Sequence, residues 1–424
     1  MADERRNYYY PGDVIYSGKP FVTCVPKNIQ SEICSYCYAR KSALKFCTCC
    51  RVSKYCNKVC QRKDWSNHKL ECRFLKNLPD YELTYIIQIV GKIIIKVKGK
   101  DWALITDQIG NDTVSFADIA SHTDELDSDP KLKLAFKEVA AQVREYIGEE
   151  NMPPQDQVFE IIGKVLFGYT ADVSPAGYVT QISGFYIGLA QLNESCVSNV
   201  FVTVEGTDVK LRAFKKIEKK IEALKISGFQ RVCNRKSAKI FRSLYQKNCR
   251  CNECSLPYGT SVLTKIIDDT KAHFIIQKSE MFLELYRTLY SFQGEKLIDK
   301  EFFRRNIEIE LTKQEGVLGN TNILRLELLA LKCLYLGGHP REQLEDMEKL
   351  LKYMKLAFGE YYPELEIVYK SLIATSMLSQ DFARFVSYNE ELCRFRLTLF
   401  GDESTREINF MTSLFGHLRM FNVV

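Results

Sequence analysis

The chain has 424 residues, 46% of them hydrophobic, enough apolar side chains for two or three separate cores. Its net charge of +6 is a small difference between 59 basic and 53 acidic residues, so composition does not demand a nucleic-acid partner. The start, "MADERRNYYYPGD", carries no apolar leader, and Lys92, Lys96 and Lys98 interrupt the most apolar run, so an intracellular chain of the nucleus, the cytoplasm or both is expected, with no membrane span. In such a compartment the 16 cysteines stay reduced, which points to metal binding rather than disulfides.

In chain order, the turn Pro11-Gly12-Asp13 followed by alternating apolar residues predicts a strand within residues 1–33. Residues 34–72 then give Cys34-x2-Cys37, Cys47-x2-Cys50, Cys56-x3-Cys60 and His68-x3-Cys72, eight donors in four pairs, as two closed tetrahedral zinc sites require. Cys49 is an extra thiol that could compete with Cys50. So small a module cannot bury a core, and metal supplies its folding free energy. Lys41, Lys45, Arg51, Lys54, Lys58, Arg62, Lys63 and Lys69 make it basic. A solvated face is the favoured reading of that charge over direct nucleic-acid contact.

Residues 73–165 read as mostly helical, with "PKLKLAFKEVAAQVREYI" apolar at three-to-four spacing and Ser128 or Asp129 as its cap. Residues 166–232 return to short alternating runs with a turn at "EGTD". A cysteine triplet, Cys249, Cys251 and Cys254, lies in 233–256 and is one thiolate short of a closed zinc site. Residues 257–424 are helical in pattern, and Gly359 and Gly401 follow similar aromatic-leucine runs about 40 residues apart, as helix-pair repeats would place them. Such a domain could form a partner-binding groove or merely a stabilising bundle. His273, His339 and His417 have no ligand spacing, and Cys233, Cys333 and Cys393 have no paired base, so neither set reads as catalytic.

The ending "YCNKVCQRKDW..HK..C" resembles a MYND zinc finger, and a finger inserted between an early strand and a later strand block resembles the SMYD family, SET-domain protein-lysine methyltransferases. "PGDVIYSGKPF", "LNESCVSN", "VKLRAFKKIEK" and "NCRCNEC" resemble that family's segments, the second its "NHSCxPN". The resemblance implies an α+β fold: a β-rich SET domain interrupted by the finger and a helical insert, then an all-α, tetratricopeptide-like C-terminal domain. It implies interleaved ligand sets, Cys34, Cys37, Cys56 and Cys60 for one ion and Cys47, Cys50, His68 and Cys72 for the other. A third zinc would use Cys249, Cys251, Cys254 and Cys196, with Cys233 the alternative to Cys196. It also implies a protein partner for the finger, such as a proline-containing peptide, and a histone or other lysine-bearing protein near the SET domain.

Four departures weigh against the family chemistry. No glycine precedes Gly12 where a G-x-G pair is expected, and Glu194 and Ser198 stand at the histidine and proline of "NHSCxPN", although Asn193 and Asn199 remain. Gly228, with Phe229 beside it, takes the catalytic tyrosine position, and Lys247 takes that of the adenine-stacking ring, although Tyr245 is kept. If S-adenosylmethionine binds, Asn193, Glu194 and Tyr245 are the residues to hold it. The expectation is a degenerate methyltransferase site without a catalytic residue; the alternative is an active lysine N-methyltransferase.

Overall fold

Alternation after the Pro11-Gly12 turn does become a strand. The computed structural model describes residues 7–25, 30–76, 84–127, 129–167, 170–173, 182–195, 197–205, 208–220, 224–227, 255–293 and 299–401. Strand β1 (Tyr8–Tyr9) pairs with β13 (Ile217–Glu218), and β2 (Val14–Gly18) forms the edge of a five-stranded sheet. That sheet runs β10 (Asn193–Ser195), β14 (Lys225–Ser227), β11 (Val200–Glu205), β12 (Asp208–Ala213) and β2. The β11–β12 ladder is antiparallel from Val200↔Ala213 to Glu205↔Asp208, on either side of the expected turn, whereas β10 and β11 both lie parallel to β14. A three-stranded sheet orders β3 (Val22–Cys24), β9 (Ile182–Phe185) and β8 (Thr170–Val173).

The finger contributes the small pair β4 (Lys45–Phe46) and β5 (Lys54–Tyr55), then α1 (Lys58–His68) and α2 (Cys72–Leu75). Asn57 caps α1, its side chain accepting from the amides of Val59 and Cys60, which fixes the turn that delivers Cys56 and Cys60 together. The insert holds α3 (Tyr85–Val97), α4 (Pro130–Ile147) and α5 (Gln155–Phe167). Asp129 is the α4 cap, accepting from the amides of Lys131 and Leu132, with Pro130 at the first helical position.

The helical reading of the insert needs one addition. A hairpin, β6 (Thr106–Ile109) and β7 (Asp112–Ser115), turns at Gly110, whose positive φ of 59° suits a residue without Cβ. It belongs to the core: Tyr16 Oη donates to Asp107 Oδ2 at 2.8 Å and Gly110 N to Ile15 O at 2.9 Å. One buried cluster runs from the finger through the insert into the sheets, taking in Ile33, Tyr55, Ile93, Phe136, Phe185 and Leu211. The mixture of sheets and helices is an α+β architecture, and no described helix is long and apolar enough to cross a membrane.

After the short α6 (Ile187–Ala190), the C-terminal helices are α7 (Asp269–Gln293), α8 (Lys300–Gln314), α9 (Ile323–Leu331, followed by a π turn at Lys332–Leu336), α10 (Pro340–Phe358), α11 (Leu365–Leu378) and α12 (Phe382–Phe400). Gly359 and Gly401 end α10 and α12 at φ of 106° and 57°, so the repeated aromatic-leucine-glycine signal marks equivalent helix stops. Phe214, just past β12, joins sheet to helices: its ring lies 6.2 Å from Phe201 and 5.8 Å from Tyr362. Gly12 makes a second junction. A Cβ there would sit 2.0 Å from the Thr398 carbonyl oxygen of α12.

Candidate metal centre

The short elements of the finger bring its eight donors into two separate groups. The ligand atoms of Cys34, Cys37, Cys56 and Cys60 lie within 4.8 Å of one another, as do those of Cys47, Cys50, His68 and Cys72. The second group is wholly buried and the first is partly open. In a regular tetrahedron with Zn–S bonds of about 2.3 Å, neighbouring sulfurs stand about 3.8 Å apart. The Sγ–Sγ separations are 3.6 Å for Cys37–Cys56, 4.0 Å for Cys37–Cys60 and 3.8 Å for Cys47–Cys72. His68 presents Nε2 at 3.3 Å from Cys47 Sγ and 3.6 Å from Cys50 Sγ. Donor chemistry and spacing therefore fit zinc. The grouping is the interleaved one, with Cys50 in the set and Cys49 exposed beside it.

Without metal several of these groups hold protons near neutrality. Burial pushes the Cys56 and Cys60 thiols up, to about 12 and about 11, and neighbouring thiols add to it; Cys72 also moves up through burial. Burial works in the same direction on Cys50, but hydrogen bonds with His68 and the amides of Val52 and Ser53 outweigh it and bring Cys50 down to about 6. His68 is disfavoured as a cation by burial, yet Cys50, Glu71 and Cys47 hold it up at about 10. A closed zinc site needs thiolates and a neutral imidazole, so binding near neutrality must expel these protons. Zinc affinity is accordingly expected to rise with pH through the neutral range and to fall on acidification. Calorimetric zinc titrations below and above neutrality, in buffers of different ionisation enthalpy, check this; pH-independent affinity without proton release would contradict it.

Around the donors, sequence reasoning missed three polar residues. Ser53 and Glu71 are buried next to His68 and Lys92 is buried against Glu71, and only the position of Glu71 directly before Cys72 hinted at a role. The other expected site residues lie elsewhere. Asn193 and Glu194 open β10, paired with Lys225 and Ile226, and Asn193 is exposed. Asn199 accepts a backbone hydrogen bond from Phe214 N at 3.0 Å. Cys196, Gly228, Cys233, Tyr245, Cys249, Cys251 and Cys254 lie outside the described residues. Cys333 is buried and its thiol pushed up to about 12, which suits a packed side chain better than a nucleophile.

Paired donors interleaved in this order, in a module set between β3 and a helical insert, define a finger protein of the MYND class. Residues 34–72 match the family model described as MYND finger. The wider chain is similar to the histone-lysine N-methyltransferase SMYD3 of Mus musculus, 25% identical over 320 residues that span 70% of this chain and 71% of that protein. It is likewise similar to the N-lysine methyltransferase SMYD2 of Homo sapiens, 24% identical over 369 residues, 83% of this chain and 80% of that protein. Likeness to SMYD proteins therefore extends over most of the chain, well beyond the finger.

Proposed function

We propose that this protein is a zinc-binding interaction or regulatory factor built on a SMYD-type scaffold whose methyltransferase site is degenerate. The observation that carries the reading is a contrast. The eight donors of the finger are complete and grouped at zinc-like separations, while Glu194 and Gly228 replace the groups expected to hold cofactor and align the methyl. Selection that keeps a scaffold and loses its chemistry leaves this pattern. On this reading residues 1–33 and 166–232 form the split SET domain, 34–72 the finger, 73–165 the insert, 233–256 the post-SET segment and 257–424 a tetratricopeptide-like domain. Cys196 closes a third zinc site with Cys249, Cys251 and Cys254, and the protein acts inside the cell, in nucleus or cytoplasm.

The finger supplies the partner surface. Phe46, Val59 and Trp65 are 54%, 49% and 49% exposed among its lysines, and Lys54 Nζ lies 4.6 Å from the centre of the Phe46 ring. Exposed aromatic and aliphatic groups on a metal-stiffened frame suit an extended, proline-containing peptide, whose own stiffness lowers the entropy lost on binding.

The second reading, an active lysine N-methyltransferase acting on a histone or another protein, is favoured by the activities for which the SMYD3 and SMYD2 relatives are named. Calorimetry of the zinc-loaded full chain with S-adenosylmethionine separates the two. No binding is expected; saturable binding together with methyl transfer to a lysine peptide would overturn the degenerate reading.

A further inference from the structure

His68 turns Nε2 toward the thiols of Cys47 and Cys50, which leaves Nδ1 as the nitrogen that must carry the ring proton when the site holds metal. Two groups wait on that side. Ser53 Oγ is 3.3 Å from Nδ1 and Glu71 Oε1 is 3.7 Å from it. The Glu71 carboxylate is itself held from two helices: Lys92 Nζ of α3 reaches Oε1 at 2.7 Å, and Tyr146 Oη of α4 donates to Oε2 at 3.3 Å. Lys92 also donates to the Thr23 carbonyl of β3 at 2.6 Å and is only 3% exposed.

A buried lysine–carboxylate pair is a poor way to gain stability, because desolvating two charges offsets most of their attraction. Packed hydrocarbon would serve a purely structural role as well. Here the pair has a geometric use, since it fixes a carboxylate against the far side of a metal-facing imidazole. Carboxylates in that position set the tautomer and orientation of a ligating ring, and losing one typically costs tenfold to a hundredfold in metal affinity.

We propose that Glu71 is a positioning residue for the second metal site: its carboxylate, 3.7 Å from Nδ1 and behind the closer Ser53 hydroxyl, favours the Nδ1-protonated ring of His68 by its charge, and Lys92 clamps it, tying that site to β3 and α3. The first site has no such support from the insert among the contacts described, since Cys34 is met by the backbone amide of Cys56 at 3.4 Å and by the neighbouring thiols. The molecule therefore contains its own control. The inference rests on the zinc reading, which fails separately if the unaltered chain takes up no metal.

The test loads the full-length chain with cobalt(II), whose ligand-field spectrum distinguishes a four-sulfur site from a three-sulfur, one-nitrogen site, and follows displacement by a chelator. Glu71→Ala alone would strand Lys92 as a buried cation, so the decisive variant is Glu71→Ala with Lys92→Met. It is expected to lose metal from the sulfur-nitrogen site tenfold to a hundredfold more readily while metal held by four sulfurs is unchanged. Glu71→Gln with Lys92→Met, which keeps an acceptor oxygen facing His68 without the full charge, should restore part of that retention. Equal loss from both sites would mark Glu71 as merely structural and overturn the proposal. Unchanged retention at both sites would overturn it as well.

Discussion

Replacing Cys34 by serine is expected to remove zinc from the first site and unfold the loop it closes. Cys34 is fully buried, its sulfur accepts from the Cys56 amide, and Cys37, Cys56 and Cys60 converge on the same point. A hydroxyl is a poor substitute for a thiolate on zinc, and with one of four donors gone the remaining three leave an open position for water. Structural zinc in small fingers contributes on the order of 10 kcal/mol or more to folding at neutral pH, far beyond what the few apolar groups of this module supply. Mass spectrometry of the native protein should count at least one zinc fewer per chain, and limited proteolysis should cut within 34–72. An unchanged metal count with a protected finger would refute the ligand assignment.

The second large effect is expected at the junction of sheet and helices. Phe214 is buried between Phe201 of β11 and Tyr362 at the start of the turn into α11, and Tyr362 stacks on Phe358 with ring centres 4.6 Å apart. Phe201 in turn meets Phe400, the last residue of α12, edge-on at 5.9 Å. Truncating a buried phenylalanine to alanine costs about 3–5 kcal/mol through lost transfer free energy and an unfilled cavity. Because the ring belongs to two neighbouring layers, Phe214→Ala should lower the thermal midpoint and separate unfolding of the C-terminal helices from that of the sheet. Scanning calorimetry would reveal the separation as a second transition. A single transition at the unaltered temperature would contradict the junction role.

Much of the metal centre was legible in the sequence because a closed zinc site constrains spacing: two donors from one turn or one helical face leave few arrangements, and Cys56-x3-Cys60 and His68-x3-Cys72 use them. The cap at Asp129 and the helix ends at Gly359 and Gly401 were readable for a similar reason, since each depends on chemistry within four residues of itself. Nonlocal features were not. The β6–β7 hairpin is polar and short, with little apolar alternation to announce it, and it is secured by Tyr16 Oη from a distant strand. Lys92 read as a break in an apolar run, because the partner that makes its burial tolerable, Glu71, is across the fold. Parallel pairing of β10 and β11 with β14 likewise depends on where the chain returns, which no local pattern encodes.

The close approach of Gly12 to Thr398 sets an order in time. Strand β2 finds its partner once β12 has left the ribosome, but the turn in front of it meets its last neighbour only when α12 has been made. At synthesis rates of about 5–20 residues per second, the intervening chain takes roughly 20–80 s to emerge. The finger, whose donors span 34–72, can take up metal early in that interval. Zinc loading can therefore precede the synthesis of α12, giving the nascent chain a metal-closed finger to fold against while the turn at Gly12 still lacks its neighbour.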